Sequence, residues 1–311
     1  MTATRDHQHT VLVTGVGGFI GSAVARRLLA EGYRVVGVDD FSAGKRKNVP
    51  AGVDLVEADL AAPQTNSRLP QKVHAVLHLA GQSSGEISFD DPIGDLEKNT
   101  VSTLQIIDYA KSADAQRLLF ASSMSVYGHA VDRPVSEDAV LRPLSCYGVG
   151  KAAAEGYLQV FAQRVPFVAL RMFNVYGPGQ DMQNLRQGMV SIYLAQALAK
   201  QHIVVKGDPQ RYRDFVYIDD VVEAWVRALH VVGVPNAAIN IGSGVRTEVG
   251  ELLSLIQQLI PGTTVEFAEG TPGDQVGIYA DTSLMRTAFG SWNFVQLRDG
   301  ITRFIEATRS V

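Results

Sequence analysis

The stretch "VLVTGVGGFIG", residues 11–21, decides the fold of this chain. It places Gly15, Gly18 and Gly21 at three-residue intervals between a short apolar run and a helical pattern. Glycines are needed where a chain turns sharply and a pyrophosphate approaches its backbone, and the helix that follows offers free N–H groups and a partial positive charge. The stretch therefore predicts a strand, a phosphate-binding turn and a helix that together bind a dinucleotide.

The rest of the N-terminal half alternates short apolar runs with helical patterns. After the glycine stretch, Ile20, Val24 and Leu28 recur every four residues, and Gly32 offers a C-terminal cap to this helix. Strands of continuous apolar character between helices indicate a parallel sheet that is covered on both faces. We therefore predict an α/β fold, a Rossmann-like doubly wound parallel sheet over residues 1–175.

The order of elements becomes less regular after about residue 175. The stretch "GPGQDMQNLRQG" is rich in turn residues and marks a boundary. Short strands are expected at "HIVVKG", "AAINIG" and "TVEFAE". Helical patterns are expected at about 188–200, 219–232, 247–260 and 297–308. We interpret residues 176–311 as a smaller mixed α/β substrate lobe, parts of which interleave with the sheet domain.

An acidic residue at the end of the second strand predicts which dinucleotide is bound. Asp39, in "VVGVDDF", lies 18 residues after Gly21, where a carboxylate binds the adenine ribose. A carboxylate there repels a 2′-phosphate, and Asp40 beside it adds to the repulsion, so NAD is favoured over NADP. Lys45 and Arg46 follow closely, which leaves NADP open at this stage.

Composition excludes several classes of protein. The net charge of −4 argues against a nucleic-acid partner, which calls for a basic face. No apolar run approaches the roughly 20 residues that cross a bilayer, and the polar start does not suggest a signal peptide. The single cysteine cannot form an internal disulfide, so a cytoplasmic location is expected. His74 and His78 lie in a strand pattern without acidic or cysteine partners, so no metal site is predicted.

A tyrosine and a lysine in "PLSCYGVGK", residues 143–151, are candidates for the chemistry. Tyr147 and Lys151 are four positions apart and share one face of a helix. A nearby ammonium group favours the phenolate, which can remove a proton from a sugar hydroxyl while hydride leaves for the nicotinamide ring. Ser123, in "ASSMSVYG", is the expected hydrogen-bond partner of the reacting oxygen. Cys146 has no base in its motif and is interpreted as a small buried residue.

Together with "HLAGQSS", "RMFNVYGPG" and "RYRDFVYIDDVVEA", these motifs resemble the extended short-chain dehydrogenase/reductase family from about residue 10 to 308. Within it, the chain is most similar to the nucleotide-sugar 4-epimerases. The resemblance implies Ser123, Tyr147 and Lys151 as the catalytic set. It implies that NAD is bound by Gly15, Gly18, Phe19, Ile20, Gly21, Asp39, Asp59, Leu60, Leu79, Ala80, Gly81, Asn99, Tyr147 and Lys151. It implies a substrate site formed by Ser83, Ser123, Asn174, Arg213 and Asp274.

The residues after Ser123 help to choose the reaction. Related sugar-nucleotide dehydratases carry an Asp-Glu pair there, and the decarboxylases keep the glutamate, whereas this chain has Met124 and Ser125. What remains is reversible oxidation at C4, so we predict 4-epimerisation of a UDP-hexose or UDP-N-acetylhexosamine. The alternatives are an NAD(P)H-dependent 4-keto-sugar reductase, another dehydratase of the family, or a cofactor-binding protein without catalysis.

Some positions depart from the epimerase pattern. Thr271 stands where many relatives have a phosphate-binding arginine, so Arg213, Arg186 or Arg211 is expected to take its place. Relatives also pair two helices, here about 92–112 and 147–163, with a second subunit as a four-helix bundle. A homodimer is predicted on that analogy. The apolar residues of these helices are also compatible with core packing: Val101, Leu104, Ile107 and Leu158.

Overall fold

The computed structural model describes residues 9–130, 132–231, 236–270 and 276–309. The strands are β1 Thr10–Thr14, β2 Arg34–Asp39, β3 Asp54–Glu57, β4 Ala75–His78, β5 Arg117–Ser123, β6 Phe167–Met172, β7 Asn174–Tyr176, β8 His202–Lys206, β9 Tyr212–Arg213, β10 Phe215–Tyr217, β11 Ala237–Ile241, β12 Thr247–Glu248 and β13 Thr264–Ala268. The α-helices are α1 Phe19–Ala30, α2 Ile87–Asp90, α3 Pro92–Leu96, α4 Ser102–Ser112, α5 Cys146–Phe161, α6 Met189–Lys200, α7 Ile218–His230, α8 Val249–Leu259, α9 Ser283–Phe289 and α10 Leu297–Arg309.

Seven strands form one parallel sheet in the order β11-β6-β5-β4-β1-β2-β3. Val11 and Val13 of β1 belong to one buried cluster, and Leu12 between them belongs to the other. All three side chains are fully buried, which explains the continuous apolar character of the strand. The predicted doubly wound Rossmann-like sheet is thereby confirmed.

The chain beyond residue 175 contributes to this sheet. β11 pairs in parallel with β6, and α7 packs against α1. The mixed part also contains three two-stranded sheets: the parallel pairs β7–β10 and β8–β13 and the antiparallel pair β9–β12. Helix α6 packs against both β8 and α8. The division into two domains stays a prediction, with β11 and α7 as the interleaved parts.

The predicted helix over 92–112 contains a change of winding. α3 and α4 are joined by a π-helical turn, Glu97–Val101, which the sequence pattern does not reveal. α9 was not predicted either. Its seven residues are too few to show a helical repeat.

The order of the strands places the site. Successive crossovers run from β1 to β2 on one side and from β4 to β5 on the other, so the strand order reverses between the neighbours β1 and β4. In doubly wound sheets, ligands bind outside the carboxyl ends of the strands at such a point. Thr14 and His78 are the last residues of these two strands.

Candidate active site

A cleft of about 620 Å³ opens at the carboxyl ends of the central strands. The turn between β1 and α1 forms one side of it, and the segment after β6 forms the other. The predicted residues that line it are Gly15, Gly18, Phe19, Ile20, Gly21, Asp39, Asp59, Leu60, Leu79, Ala80, Gly81, Ser83, Ser123, Tyr147, Lys151 and Asn174. Its volume lies within the range of pockets that enclose most of a small ligand.

The glycine turn has the shape that a pyrophosphate requires. Gly15 has a φ of +70°, and a Cβ there would lie 2.8 Å from the nitrogen of Ala80. A Cβ on Gly21 would lie 2.1 Å from the carbonyl oxygen of Gly15. Gly18, the N-cap of α1, provides no side-chain cap, so the first N–H groups of this helix remain available to an anion. The turn therefore fits the diphosphate of a dinucleotide.

We expect Gly15→Ala to abolish detectable NAD binding. The added methyl group would push the turn away from Ala80, and the left-handed backbone would cost about 1–2 kcal/mol besides. Gly32→Ala is the matched control, because Gly32 also has a positive φ (+87°) but nothing lies within 4 Å of an added Cβ. Calorimetric titration of both variants with NAD checks this, and equal affinities would contradict the role of the turn.

Asp39 lines the cleft beside the glycine turn and is 7% exposed. Its Oδ2 accepts the N–H of Gly17 at 2.8 Å, and its Oδ1 accepts the N–H of Phe41 at 2.8 Å. Burial raises the pKa of this carboxyl, and the two N–H donors oppose the rise. Each carboxylate oxygen keeps a further lone pair for a ribose hydroxyl.

Lys45 and Arg46, the two basic residues that could favour NADP, both form salt bridges with carboxylates. Lys45 forms a salt bridge with Asp181 at 2.8 Å. Arg46 pairs with Glu57 and lies 4.5 Å from the centre of the Phe41 ring. Neither side chain is therefore positioned as an unpaired cation for a 2′-phosphate, in agreement with the preference for NAD.

The strand histidine is structural. His78 is fully buried, with Nδ1 at 2.8 Å from Thr14 Oγ1 and Nε2 at 3.1 Å from Thr103 Oγ1. Burial lowers its pKa to about 3, so the imidazole is neutral at ordinary pH. Thr14 Oγ1 also accepts the N–H groups of Leu79 and Ala80 at 3.0 Å each. These bonds tie the ends of β1 and β4 together beneath the cleft.

The catalytic candidates converge from two elements. Ser123 ends β5, and Tyr147 and Lys151 lie one turn apart near the start of α5. Ser145 caps this helix by accepting the N–H of Gly148 at 3.1 Å, which fixes where the helix begins. Lys151 Nζ lies 5.7 Å from the centre of the Tyr147 ring and 4.9 Å from that of Phe120.

Burial sets the protonation of this pair. It raises the pKa of Tyr147 to about 12, although the hydrogen bond with Ser123 lowers it. It lowers the pKa of Lys151 to about 8, although Asp95 and Glu155 raise it. At neutral pH the protein alone therefore holds a phenol beside an ammonium ion. Further positive charge beside the ring would be needed to favour the phenolate.

Cys146 is only partly buried, at the first position of α5. The interpretation of Cys146 as a buried residue was therefore wrong, because part of its surface remains exposed. Tyr147, the second residue of α5, lines the cleft, whereas Cys146 is not among the described residues that line it.

The part of the cleft lined by Ser83 and Asn174 also carries side-chain amides that the sequence did not predict. Gln187 donates a hydrogen bond to Ser83 at 2.7 Å, and Asn174 donates to the carbonyl of Asp214 at 3.3 Å. Gln180, Asn184 and Gln187 all line the cleft. They lie in the turn-rich stretch after residue 176, where no periodicity indicates which side chains turn inward.

The three arginines predicted to bind the substrate phosphates are not among the described residues that line the cleft. Arg213 is 4% exposed, donates to the carbonyl of Tyr212 at 2.8 Å, and is not among the described residues that line the cleft. Burial and Arg211 lower its pKa to about 10. Arg186 pairs with Glu86 at 3.1 Å and Asp90 at 2.7 Å. Arg211 donates to the carbonyl of Asp208 at 3.0 Å.

Two predicted positions, Thr271 and Asp274, lie outside the described residues. Asn99 lies behind the cleft wall, because its Oδ1 is 2.5 Å from the place that a Cβ on Gly81 would occupy. The roles of all these site residues stay predictions.

Comparison with known proteins places the chain in a family. The family model of the NAD dependent epimerase/dehydratase family matches residues 11–242. The chain belongs to this family. The prediction of NAD as the cofactor is thereby confirmed. Among the described helices, none combines the length and apolar character needed to cross a membrane.

Several relatives share almost the whole length of the chain. A UDP-glucose 4-epimerase of Mycolicibacterium smegmatis is 35% identical over 96% of this chain and 98% of its own. The crystal structure of a UDP-glucose 4-epimerase from Thermotoga maritima with UDP-glucose superposes with a TM-score of 0.92, at 31% identity, over 97% and 99% of the two chains. A structure of MoeE5 with UDP-glucuronic acid and NAD superposes with a TM-score of 0.88 at 33% identity, over 97% and 99%.

Proposed function

We propose that this protein is an NAD-dependent 4-epimerase of nucleotide sugars, with a UDP-hexose or UDP-N-acetylhexosamine as substrate. The observation that carries the proposal is the position of Ser123, Tyr147 and Lys151 in the wall of a cleft that also contains the glycine turn and Asp39. The relatives named as UDP-glucose 4-epimerases support the same reaction.

Separate residues of the cleft would bind NAD and transfer the proton. The glycine turn would hold the diphosphate of NAD, Asp39 the adenine ribose, and Lys151 the nicotinamide ribose. Bound oxidised NAD supplies a positive ring that accepts hydride from C4 of the sugar and later returns it. Ser123 orients the 4-hydroxyl, and Tyr147 takes its proton and gives it back. Lys151 favours the phenolate through its charge.

The same cleft disfavours dehydration. Met124 and Ser125 both line it, at the places where dehydratases carry an acid and a glutamate. A thioether cannot donate a proton, and a serine hydroxyl without a base is a poor proton acceptor. The described cleft wall thus offers no carboxylate at these two positions for removal of the C5 proton.

A substrate panel tests the proposal. We expect the enzyme with NAD to interconvert the C4 epimers of UDP-glucose or UDP-N-acetylglucosamine, with UDP-glucuronate as a further test compound. Chromatographic separation of the epimers provides the measurement. The absence of any epimer from every nucleotide sugar would contradict the proposal.

The amount of NAD(P)H consumed per sugar converted distinguishes a reductase from an epimerase. A reductase would consume one NAD(P)H for each 4-keto sugar that it converts, whereas an epimerase returns its hydride to the substrate. We expect no net change in absorbance at the wavelength of reduced nicotinamide during turnover. Stoichiometric consumption with a 4-keto sugar would favour the reductase.

We further propose a homodimer in which two helices of each copy form a four-helix bundle: α5, and the continuous helix made of α3, the π-helical turn and α4. Ile107 and Leu158 do not support an interface, because they are buried within the protomer. Support comes from other apolar side chains on these helices: Ile93 is 66% exposed, Leu96 46%, Val149 54% and Val160 74%.

Light scattering tests this assembly. We expect a mass twice the 33.6 kDa of the chain, and a shift to that of the monomer in Val160→Lys. Val140→Lys is the control, because Val140 is 70% exposed but does not lie on these helices. A wild-type chain that is monomeric at micromolar concentration would contradict the proposal. A cytoplasmic location is proposed as well, supported by the single cysteine.

A further inference from the structure

A buried polar cluster that the mechanism above does not use lies behind Lys151. Asp95 of α3 is 2% exposed, and Asn99, one turn later, is 1% exposed. Asp95 Oδ1 accepts hydrogen bonds from Gln82 Nε2 at 2.8 Å and from Asn99 Nδ2 at 3.1 Å. The other oxygen, Asp95 Oδ2, and Asn99 Oδ1 have no hydrogen-bond partner among the described residues.

Two glycines bring this cluster close to the lysine. A Cβ on Gly150, the residue before Lys151, would lie 3.5 Å from Asp95 Oδ2. A Cβ on Gly81 would lie 2.5 Å from Asn99 Oδ1 and 3.2 Å from Lys151 Nζ. Asn99 Oδ1 therefore lies near the ammonium group, whereas Asp95 Oδ2 lies beside the backbone of the residue that precedes Lys151.

The amide of Asn99 takes its orientation from Asp95. An ionised carboxylate only accepts hydrogen bonds, so the amide must turn its nitrogen toward Asp95. Its oxygen then lies on the side of Gly81 and Lys151. Asp95 thus acts on the lysine in two ways, through its own charge and through the orientation of a carbonyl dipole.

A buried carboxylate with an open oxygen needs a positive charge nearby. Burial raises the pKa of Asp95, while Gln82, then Lys151 and then Asn99 lower it, and Asp91 raises it again. Burial lowers the pKa of Lys151, and Asp95 is the first group that raises it.

The other ionisable groups around the lysine are already neutral or paired. Glu155 forms a salt bridge with Arg171 at 2.7 Å. His78 is neutral, because burial lowers its pKa to about 3. Tyr147 is a phenol, because burial raises its pKa to about 12. Asp95 is thus the carboxylate near Lys151 that has no arginine or lysine partner of its own among the described ion pairs.

We propose that Asp95 is a positioning residue of the active site, whose carboxylate is the counter-charge that keeps Lys151 an ammonium ion and whose Oδ1 fixes the amide of Asn99 toward it. The inference rests on the proposed function only in giving Lys151 a catalytic role. Without Asp95, burial would leave the lysine neutral over more of the working pH range, and a neutral amine does not favour the Tyr147 phenolate.

Titration of Lys151 by NMR tests the charge directly, without substrate. The full chain is labelled with ¹³Cε-lysine, with and without NAD, and the Lys151 signal is assigned by its loss in Lys151→Arg. In Asp95→Asn we expect the titration midpoint to move to lower pH by on the order of one unit. Glu97→Gln, the same kind of change at an exposed position of the same segment, should leave the midpoint in place.

The pH profile provides the second measurement. Asp95 also raises the pKa of Tyr147, so Asp95→Asn should move both limbs of the kcat profile to lower pH. A merely structural role would lower activity equally at all pH values without moving the limbs. We expect kcat to fall about tenfold on the alkaline side, the fold-change of a one-unit shift, with KM little changed.

Two outcomes would overturn the proposal: a Lys151 titration that moves no more in Asp95→Asn than in Glu97→Gln, or a profile that falls uniformly. If Asp95→Asn does not fold, Asp95→Ser, which is smaller and also uncharged, carries the same expectations. Failure here is distinct from failure of the proposed function, which would appear as a wild-type protein that forms no epimer although Lys151 titrates as expected.

Discussion

Replacing Tyr147 by phenylalanine lowers kcat by about 10²–10⁴-fold, because the hydroxyl that moves the proton of the substrate is lost. The ring stays in place at the start of α5, so NAD should bind with nearly unchanged affinity. Conversion of UDP-glucose or whichever nucleotide sugar the panel identifies, measured beside NAD titrations, separates the two effects.

Tyr157→Phe is the matched control for this change. Tyr157 lies on the same helix but is 40% exposed, so loss of its hydroxyl should leave kcat within about twofold of wild type, as is usual for surface substitutions. Full activity in Tyr147→Phe would reject the catalytic assignment. A loss of NAD binding equal to the loss of activity would indicate a role in cofactor binding instead of proton transfer.

Replacing Glu155 by glutamine lowers the free energy of unfolding by about 3–5 kcal/mol, because it leaves the Arg171 guanidinium buried without its counter-charge. Arg171 donates to Glu155 Oε1 at 3.0 Å and to Oε2 at 2.7 Å, and the two residues are 5% and 8% exposed. The guanidinium also donates to Tyr127 at 2.9 Å, whose hydroxyl donates to Asn240 at 2.6 Å. The network joins α5 to β6 and to β11.

Urea unfolding followed by both fluorescence and circular dichroism measures this loss, and coincident transitions would support a two-state treatment. Asp54→Asn is the control, because its salt bridge with Arg34 joins side chains that are 56% and 64% exposed. Such exposed pairs contribute at most about 1 kcal/mol. Equal destabilisation by the two changes would contradict the importance of burial at Glu155.

Ser122 connects this stabilising network to the candidate active site. Its hydroxyl donates to Glu155, and the next residue along β5 is Ser123. Glu155 itself lies one turn after Lys151 on α5. The ion pair thereby fixes both elements that carry the proposed catalytic residues, so the Glu155 variant should also lose part of its activity where it remains folded.

The strand and helix pattern of the N-terminal half was predictable because it depends on local features. In β1 and β4 the apolar run is continuous, and in α1 it repeats every four residues, as buried strands and a half-buried helix require. The predicted boundary at residue 175 said less about the fold, because a later strand joins the main sheet. A pattern of hydrophobic residues cannot show that β11, far along the chain, pairs with β6 at the edge of the main sheet.

The candidate site shows the same contrast. The glycine turn, Asp39 and the Tyr147–Lys151 pair all follow from short-range spacing. The spacing of residues did not predict the amides of Gln180, Asn184 and Gln187, because they lie in an irregular loop that reaches the cleft only in the folded chain. Arg213 was expected to contact a phosphate, yet its orientation depends on packing between β9 and its neighbours, and it does not line the described cleft.

The sequence by itself determined the glycine turn, the position of Asp39 at the end of β2 and the four-residue spacing of Tyr147 and Lys151, because each depends on particular residues at short, fixed separations. Only the tertiary structure decided which charged side chains form salt bridges and how the pKa values of Tyr147 and Lys151 are shifted. Lys45 and Arg46 meet Asp181 and Glu57 through contacts between separate loops and strands. The pKa values of Tyr147 and Lys151 follow from desolvation and from Asp95 on a neighbouring helix, both of which exist only when the chain is packed.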